Sequence, residues 1–563
     1  TSWRLTGLQT GEYGAAVDST VAHSGQRSGR IDGFAAAPFG PASLTLSMRA
    51  DRYRSKRVKL SAYVKTRDVT GVGAYVVFAM ATPQAVVTAA MSSRTAVKGT
   101  SDWQLVSATA DVPESMIGLV ANVTLNGHGT IWIDDVSLEV VGDAKPSQSP
   151  SQPVSNANPS AQAASMTPFF ASLPAEPSNL GFENGSIVTF AKRSPLEPPR
   201  AVTPRGLENL IAFARVAGVV RHFHPTEAVR TTNWDDFLIR GVRAVEGAPN
   251  ADSLARTMTA LFANVAPQVR IVAGAPPRVP AQRPDLGARL GVAYWSNTGL
   301  MLGAPNPAMP NIYSSVLVLS PALDGHLPPG VPSPDSVWTA TLGGGVSAVV
   351  PTALWTTLPD DESARRKPVT PSLPAQEGSS PSDRAARIAG VITAWNVFEH
   401  SYPYFDIVGV DWNAELPRAL KTAATDPTPT DYLGTLRRLV AAAHDGHGNV
   451  YPLSGMARRG YLPVALDWVE NQLVVTRVGD GAPSDIKRGD VIESIDGVKS
   501  LDVLKKREEQ ISGATPQWLR YRSVNEVMLG DSGAVLDLRL ASGRNVKLSF
   551  SSLSAVTDPR PEK

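Results

Sequence analysis

The segment HDGHGNV (444–450) contains two of the eight histidines in this 563-residue chain. His444 and His447 are three residues apart, with Asp445 and Gly446 between them, and this pattern allows three interpretations. An imidazole can take a proton from a serine hydroxyl, and two imidazoles on one helical face can bind a metal. The same residues can also do no more than end a helix and turn the chain.

A metal site is the least favoured of the three interpretations. Gly446 and Gly448 would interrupt a helix, no glutamate lies between the two histidines, and no third ligand is indicated nearby. The absence of cysteine excludes disulfides, thiolate nucleophiles and cysteine-bound zinc. His222 and His224, in HFHP, would point to opposite sides of an extended segment, and we expect them to be packing or surface residues. Neither a metal nor an organic cofactor is predicted.

Two predicted helices position the segment. Ser382 or Asp383 should cap the first helix, and Thr430 should cap the second. Apolar residues recur at helical spacing in both: Ile388, Val391, Ile392, Trp395 and Phe398, then Leu433, Leu436, Val440 and Ala443. At about 100° per residue, the second stripe returns at 447. His447 is therefore expected just past the helix, on the side that faces the core.

Two interpretations of His447 stay open at this stage. It is either a general base or a histidine held by backbone hydrogen bonds where the helix ends. His444, four residues after Val440, should line the same interface, and Asp445 should cap or turn the chain rather than titrate.

The composition is that of a folded chain with several domains. Its length exceeds what one core supports, and 42% hydrophobic and 18% charged residues are ordinary values. Lysine and arginine number 53 against 51 acidic residues, so the net charge of +2 gives no field that attracts nucleic acid. No apolar run approaches the roughly 20 residues of a membrane helix. The chain opens with Thr-Ser-Trp, so a processed or cut N-terminus is expected.

Two stretches rich in Pro, Ser and Ala divide the chain, because they hold too few large apolar residues to bury a core. The predicted regions are, in order, an all-β sandwich (1–142), a linker (143–178), a mixed α/β region (179–355), a second linker (356–382), a helical segment (383–455), a β-structured domain (456–550) and a tail (551–563).

The N-terminal region alternates in short runs separated by Gly, Asp and Asn, as a sandwich does. Its pieces AVDSTVAHSGQRSGRI, LSAYVKTRDVTG, TSDWQLVSATADVP and GTIWIDDVSLEVV resemble the jelly rolls of carbohydrate-binding modules. That resemblance implies a glycan partner, whose sugar rings would stack on aromatic side chains. The aromatic candidates are Trp3, Tyr53, Tyr75, Trp103 and Trp132. The alternative is that Trp103 and Trp132, which lie within the strand pattern, are core residues.

The β-structured domain centres on GDVIESIDGV (489–498). Gly489-Asp490 should form a turn, Val491, Ile492 and Ile495 should fill a strand, and Asp496-Gly497 should close a hairpin. Together with LDWVENQLVVTRV and LDLRLASGRNVKLSF, this segment resembles a PDZ domain.

PDZ domains add a peptide to a sheet edge and hold its carboxylate with backbone N–H groups. The resemblance implies substrate binding around Gly460, Tyr461 and Leu462, although Pro463 removes one donor. The alternative is a structural or gating role for the domain, which we favour.

A helical segment, a histidine loop and a PDZ-like domain follow one another in the tail-specific (C-terminal-processing) serine peptidases, and residues 383–550 resemble their tricorn-like branch. The resemblance is carried by FEHSYPYFD (398–406), VDWN (410–413), HDGHGNV, GDVIESIDG and SGATPQWLRYRS (512–523). Upstream, ENLIAFARVAGVVRHFHPTE and NIYSSVLV resemble a region that precedes this core in secreted bacterial members. The resemblance implies that His447 is the general base for a serine. Gly446 stands where the family often has a serine.

The resemblance also implies a nucleophile and an acidic partner after the PDZ-like domain, so both are expected beyond residue 563. Gly530-Asp-Ser-Gly533 looks like the nucleophile loop of chymotrypsin-like peptidases, but a polar turn is the better interpretation.

The predicted function is the N-terminal portion of a secreted or periplasmic bacterial serine endopeptidase, inactive by itself, whose substrate is a peptide or protein. The alternative is a non-catalytic protein that binds glycan and peptide. No nucleic-acid partner and no integral membrane segment is predicted, and the sequence leaves the oligomeric state open.

Overall fold

The computed structural model describes residues 3–7, 12–34, 38, 40–83, 86–145, 167–184, 187, 196–278, 290–299, 315–322, 326–368, 380–451, 459–531 and 533–551. Its contacts form two compact units, Thr1–Gly390 and Val391–Lys563.

The first unit begins with strands and continues as mixed α and β structure. Its elements are β1 (Arg4–Gly7), β2 (Tyr13–Asp18), β3 (Ser28–Gly33), β4 (Ala42–Arg49), β5 (Lys56–Ala81), β6 (Val86–Met91), β7 (Val97–Asp111), β8 (Gly118–Asn126), β9 (Gly129–Asp143), α1 (Thr167–Ala171), α2 (Pro204–Phe223), α3 (Glu227–Thr231), α4 (Trp234–Val245), α5 (Ala251–Phe262), β10 (Arg270–Ala273), β11 (Leu290–Asn297), β12 (Ser315–Pro321), β13 (Val337–Gly343), β14 (Val346–Pro351), β15 (Ala353–Thr357) and β16 (Arg366–Pro368).

Helix α6 (Arg384–Ser401) runs from the first unit into the second. The second unit continues with α7 (Phe405–Val408), α8 (Trp412–Thr425), α9 (Pro429–Ala441), β17 (Arg459–Tyr461), β18 (Val464–Val469), β19 (Gln472–Val478), β20 (Val491–Ile495), β21 (Val498–Lys499), α10 (Ser500–Glu508), α11 (Pro516–Val527), β22 (Leu529–Asp531), β23 (Val535–Leu540) and β24 (Asn545–Ser549).

Strands β1–β9 form one nine-stranded antiparallel sheet around a common core, called the sandwich below, and β5 connects its two halves. The first half of this 26-residue strand pairs with β7 and β9, and the second half pairs with β6 and β8. Alternate residues of β4 are buried, as expected for a strand with one face on a core. That core includes Leu44, Leu60, Phe78 and Ile133, so side chains from both halves of β5 meet in it. The expected all-β region is confirmed at this level.

The segment after the sandwich packs back onto it. Phe170 of α1 is 1% exposed and contacts a small apolar cluster with Ala79 and Val120. Phe182 is fully buried in the sandwich core and stacks on Trp3, with 4.9 Å between ring centroids. Residues of the predicted linker and of the predicted α/β region therefore complete the sandwich.

The α/β region contains the expected helices and strands. Thr203 caps α2 by accepting a hydrogen bond from the Gly206 N–H, and Pro204 occupies the first helical position. Asn250 caps α5, because its side chain accepts a hydrogen bond from the Ser253 N–H. The strands form two sheets, in the orders β10-β14-β13 and β15-β11-β12-β16. Part of the second predicted linker is thus strand β16.

In the second unit, α6 and α8 are joined by two tryptophans. The Trp395 indole donates to the Trp412 carbonyl at 3.0 Å, and the Trp412 indole donates to the Trp395 carbonyl at 3.2 Å. Asp383 is the cap of α6, since its carboxylate accepts the Ala385 N–H. Thr428, not the predicted Thr430, caps α9, because Pro429 already occupies the first helical turn.

Six strands of this unit form an antiparallel sheet in the order β18-β19-β20-β23-β24, with β21 on β20, and β17 pairs with β22. Asp496 and Gly497 both have positive φ, 49° and 80°, which confirms the predicted hairpin. A β-rich chain with several sheets is thereby confirmed, and the PDZ assignment stays a prediction. Of the helices that the structure describes, none has the length and apolar character to cross a bilayer.

Candidate functional site

Helix α9 ends directly before the HDGHGNV segment. Ala443 is buried, and its carbonyl accepts a hydrogen bond from the Tyr402 hydroxyl at 3.1 Å. His444 then takes a left-handed conformation with φ of 53°, a common way for a helix to stop. Its side chain is exposed, so the expectation that His444 lines the interface is wrong. The reversal of φ turns this side chain away from the apolar stripe of α9.

Asp445 organises the turn that follows. One carboxylate oxygen accepts the backbone N–H of His447 at 2.9 Å and contacts the imidazole Nδ1 at 2.8 Å. The Asp445 carbonyl accepts the Gly448 N–H at 2.9 Å, and the Asp445 N–H donates to the Ser512 hydroxyl at 3.0 Å. The sequence expectation that Asp445 turns the chain is confirmed. The sequence interpretation missed the contact between Asp445 and the ring of His447. The position of Asp445, two residues before the histidine, was the available signal for that contact.

The His447 side chain is 99% exposed, so the expected position facing the core is wrong. Helical extrapolation fails here because the chain leaves the helix at residues 442–444. With a carboxylate at Nδ1, the neutral ring carries its proton on Nδ1 and an open lone pair on Nε2. Within the described residues, Nε2 has no hydrogen-bond partner. The ring is thus oriented by its neighbour and open to solvent on its basic side.

The Asp445 carboxylate is held in its charged form. Its pKa is lowered chiefly by the hydrogen bond from the His447 N–H; partial burial opposes this shift, and the imidazole adds to it. Asp445 is therefore ionised at neutral pH and can keep the ring in one tautomer.

Two glycines let this turn lie close to its surroundings. A Cβ atom on Gly448 would lie 2.8 Å from Val440 and 3.1 Å from the Ser512 hydroxyl. A Cβ atom on Gly446 would lie 3.1 Å from the indole nitrogen of Trp518 on α11. The turn is consequently packed between α9 and α11.

A small cleft, partly open to solvent, begins at this turn. It is lined by Arg437, Val440, Gly448, Asn449, Val450, Tyr451, Gln510, Ile511, Ser512, Arg522 and Glu526. Residues from α9, α11 and the loop after His447 therefore surround one space.

The two histidines of the HFHP segment lie in the interior of the first unit. His222 and His224 are buried, so the expectation that they are packing residues is confirmed. The His224 ring lies 2.9 Å from the Pro351 carbonyl and 3.2 Å from the Gln268 amide oxygen, and burial lowers its pKa. In the part of the chain that the structure describes, no three or more His, Asp or Glu side chains are arranged to hold a metal.

The predicted carboxylate-binding residues lie on β17 and just after it. Gly460 pairs with Gly530 of β22, and the Tyr461 N–H donates to the Ser551 carbonyl. The Leu462 N–H donates to the Met528 carbonyl. Two of the backbone donors that a peptide carboxylate would need are thus already used, and the assignment stays a prediction. Ser532 of the polar turn lies outside the described residues.

The aromatic candidates of the sandwich separate clearly. Trp3, Tyr53, Tyr75 and Trp132 are buried, and the Trp132 indole donates to Asp18 at 2.9 Å. The expectation of a core role is therefore confirmed for Trp132 and wrong for Trp103, which is half-buried.

An aromatic surface that the sequence did not indicate lies beside Trp103. The His23 ring stacks on Tyr63 at 3.8 Å and meets the Trp103 ring edge-on at 5.5 Å. The His23 Nδ1 lies 2.7 Å from an Asp135 oxygen. The three rings come from separate segments of the chain, which is why no local pattern predicts the cluster.

No family model matches the chain. It is similar to a curated protein, the uncharacterized HTH-type transcriptional regulator YbfP of Bacillus subtilis (strain 168), with 28% identity over 146 residues. These cover 26% of this chain and 50% of the relative, so the chain spans half the length of the curated protein that it matches.

Solved structures share parts of the chain at low similarity. Mature CPAF matches at 17% identity and a TM-score of 0.25, covering 29% of this chain and 34% of that one. The CBM22-1–GH10 modules of the Clostridium thermocellum xylanase Xyn10B match at 14% identity and a TM-score of 0.19, covering 26% and 28%. The CBM22-1 xylan-binding domain of Paenibacillus barcinonensis Xyn10C matches at 17% identity and a TM-score of 0.20, covering 25% of this chain and 88% of that one. At these scores, function has to be argued from the residues themselves.

Proposed function

We propose that this chain is the N-terminal portion of a secreted bacterial serine endopeptidase of the tricorn-like type. In this proposal, His447 is the general base, residues 456–550 form a PDZ-like gating or substrate domain, and the serine lies beyond residue 563. One observation carries the proposal: the His447 ring is held at Nδ1 by Asp445 and exposed at Nε2.

The geometry suits proton transfer from a serine. Nε2 has the lone pair that would accept the hydroxyl proton, and the fixed tautomer keeps that lone pair available. The Asp445 charge would stabilise the imidazolium that forms when the proton is taken. Asp445 thereby supplies the orienting group that Gly446, as a residue without a side chain, does not.

Labelling of the natural full-length protein with a fluorophosphonate tests this proposal. We expect the serine to be labelled, and His447→Ala to reduce the labelling rate by at least about 100-fold, since the base activates the nucleophile. His444→Ala is the matched control, because His444 is also exposed in the same loop. The absence of labelling in the natural protein, or an equal effect of the two substitutions, would reject the role of His447.

A second candidate function is glycan binding by the sandwich. The observation that favours it is the cluster of His23, Tyr63 and Trp103, in which Trp103 is only partly covered. An accessible indole face can stack on a sugar ring. Binding of xylohexaose should weaken about tenfold or more in Trp103→Ala, and hardly at all in Leu105→Ala, an exposed neighbour on β7. Equal affinities would remove this candidate.

A further inference from the structure

The cleft beside the His447 turn is lined by positive charge. Arg437 reaches it from α9 and Arg522 from α11, with Gly448 and Asn449 at its edge. Since Gly448 directly follows His447, the cleft adjoins the loop that carries the proposed base. A group bound in the cleft would therefore lie close to that loop.

Both guanidinium groups are incompletely neutralised. Arg437 Nε donates to the Val450 carbonyl and Arg522 Nη2 to the Asn449 amide oxygen, each at 3.3 Å. Among the described residues, no carboxylate lies within 4.0 Å of either group. Each arginine makes one long hydrogen bond to a neutral oxygen, and Arg522 also lies over the Trp518 ring, 5.6 Å from its centroid. Most of the N–H donors of both groups therefore remain for a ligand.

A third arginine, Arg507, lies next to the cleft wall, where it contacts Glu526 and its charge interacts with that of Arg437. Arg507 Nε is buried and has no hydrogen-bond partner in the described residues, and Nη1 makes one long bond of 3.4 Å to the Glu526 carbonyl. Burial lowers the Arg507 pKa and the charge of Arg437 acts in the same direction, while the Glu526 carboxylate acts against them. Two arginines and one carboxylate, Glu526, line the cleft, which leaves an excess of positive charge, and the nearby Arg507 adds to it.

We infer that this cleft binds a carboxylate of a peptide, either an acidic side chain or a C-terminus. A guanidinium fork matches a carboxylate with two parallel hydrogen bonds, and the Gln510 amide lies in the same wall as a neutral donor. That the anion belongs to a peptide rests on the proposed peptidase function, whereas the binding of a carboxylate rests on the arginines alone.

Fluorescence anisotropy with three labelled alanine-rich pentapeptides tests the inference on the 563-residue chain. One peptide has a central glutamate and an amidated C-terminus, one has a central glutamine and an amidated C-terminus, and one has the glutamine and a free C-terminus. We expect at least one of the two carboxylate peptides to bind about tenfold more tightly than the neutral one, as charged hydrogen bonds predict. The preference should shrink as salt is added.

Substitutions then locate the site. Arg437→Gln and Arg522→Gln should each remove most of the carboxylate preference, whereas Arg438→Gln, with the same charge change on the exposed face of α9, should leave it within about twofold. Which carboxylate peptide is preferred identifies the source of the group. Equal binding of all three peptides by the unmodified chain overturns the inference, even if a variant fails to fold. An equal loss of the carboxylate preference in Arg438→Gln would also overturn the inference.

The outcome is separable from that of the labelling experiment. Binding needs no turnover, so His447→Ala should bind the carboxylate peptides as the unmodified chain does. Carboxylate binding without fluorophosphonate labelling would reject the peptidase and keep the anion site. Labelling without a carboxylate preference would do the reverse.

Discussion

At the scale of single residues, the site depends on a side chain that is absent. Gly446 stands where the family that this segment resembles often has a serine. A Cβ atom here would lie 3.1 Å from the Trp518 indole nitrogen and 3.4 Å from its Cε2, so a side chain at this position requires the ring to shift by a few tenths of an ångström. In this chain, Asp445 orients the His447 ring instead, through its contact with Nδ1. The absence of a side chain at Gly446 therefore allows Trp518 to pack against this loop.

We predict that Gly446→Ser destabilises the second unit by about 1–2 kcal/mol, because the new side chain must displace the Trp518 ring. Trp518→Ala should remove that conflict, so the double variant should be more stable than the sum of the single effects by at least about 0.5 kcal/mol. A double-mutant cycle measures this coupling. Urea unfolding is followed by far-UV circular dichroism, because the loss of Trp518 would change a tryptophan fluorescence signal. Strict additivity would show that the two residues do not compete for space.

At the scale of elements, local sequence patterns predicted which helices and turns form better than they predicted where those elements begin. The helical stripes before His447 and the Asp496-Gly497 hairpin follow from residue spacing and are present. The cap of α9 is Thr428 and was missed by two residues, because several polar residues near the start of that helix could serve.

The orientation of His447, the aromatic cluster at His23 and the packing of α1 could not be predicted. Each depends on contacts between residues that are far apart in sequence or on one reversed φ angle. Spacing along the chain carries no information on such contacts.

Helix α1 offers a direct test, since its two phenylalanines differ in burial. Phe170 is 1% exposed and lies on Gly118, where a Cβ atom would come within 2.0 Å of the ring, while Phe169 is 48% exposed. Phe170→Ala should lower the free energy of unfolding of the sandwich by about 3–5 kcal/mol, the usual cost of a buried phenylalanine. Phe169→Ala should change it by less than about 0.5 kcal/mol. Thermal unfolding followed by circular dichroism compares them, and equal melting temperatures would mean that α1 adds nothing to the sandwich.

At the scale of the whole molecule, the first unit is closed by buried polar groups where α6 begins. Glu12, before β2, accepts the hydroxyls of Ser380 and Ser382 at 2.6 and 2.7 Å, across more than 360 residues of sequence. Arg384, with a fully buried side chain, binds Glu246 through two hydrogen bonds of 2.7 and 2.8 Å and Glu197 at 3.2 Å. The start of α6 is thereby bound to the end of α4 and to the segment before α2.

Arg384 and Arg200 share both carboxylate partners but differ in exposure, 0% against 51% of the side chain. Arg384→Met should therefore destabilise the first unit by about 2–4 kcal/mol, because the buried Glu246 loses its buried partner and keeps only Arg200, whose side chain is half-exposed. Arg200→Met should cost less than about 1 kcal/mol, since water screens an exposed pair. Urea unfolding at pH 7 compares the two variants, and equal losses would contradict the role of burial.

Acidification should reduce the difference in stability between the unmodified chain and Arg384→Met. Burial alone would raise the Glu246 pKa, but the hydrogen bonds and charges of Arg384 and Arg200 outweigh it, so the pKa is lowered. A depressed carboxylate pKa contributes stability that is present above the unfolded value, about 4.5, and is lost as the pH falls through the folded value. Below that range Glu246 is protonated in both states, and Arg384→Met then costs only its packing and neutral hydrogen bonds. Unfolding free energies at pH 7, 5 and 3 should therefore converge between the unmodified chain and Arg384→Met, and a gap that stays constant with pH would show that the guanidinium acts by packing and not by charge.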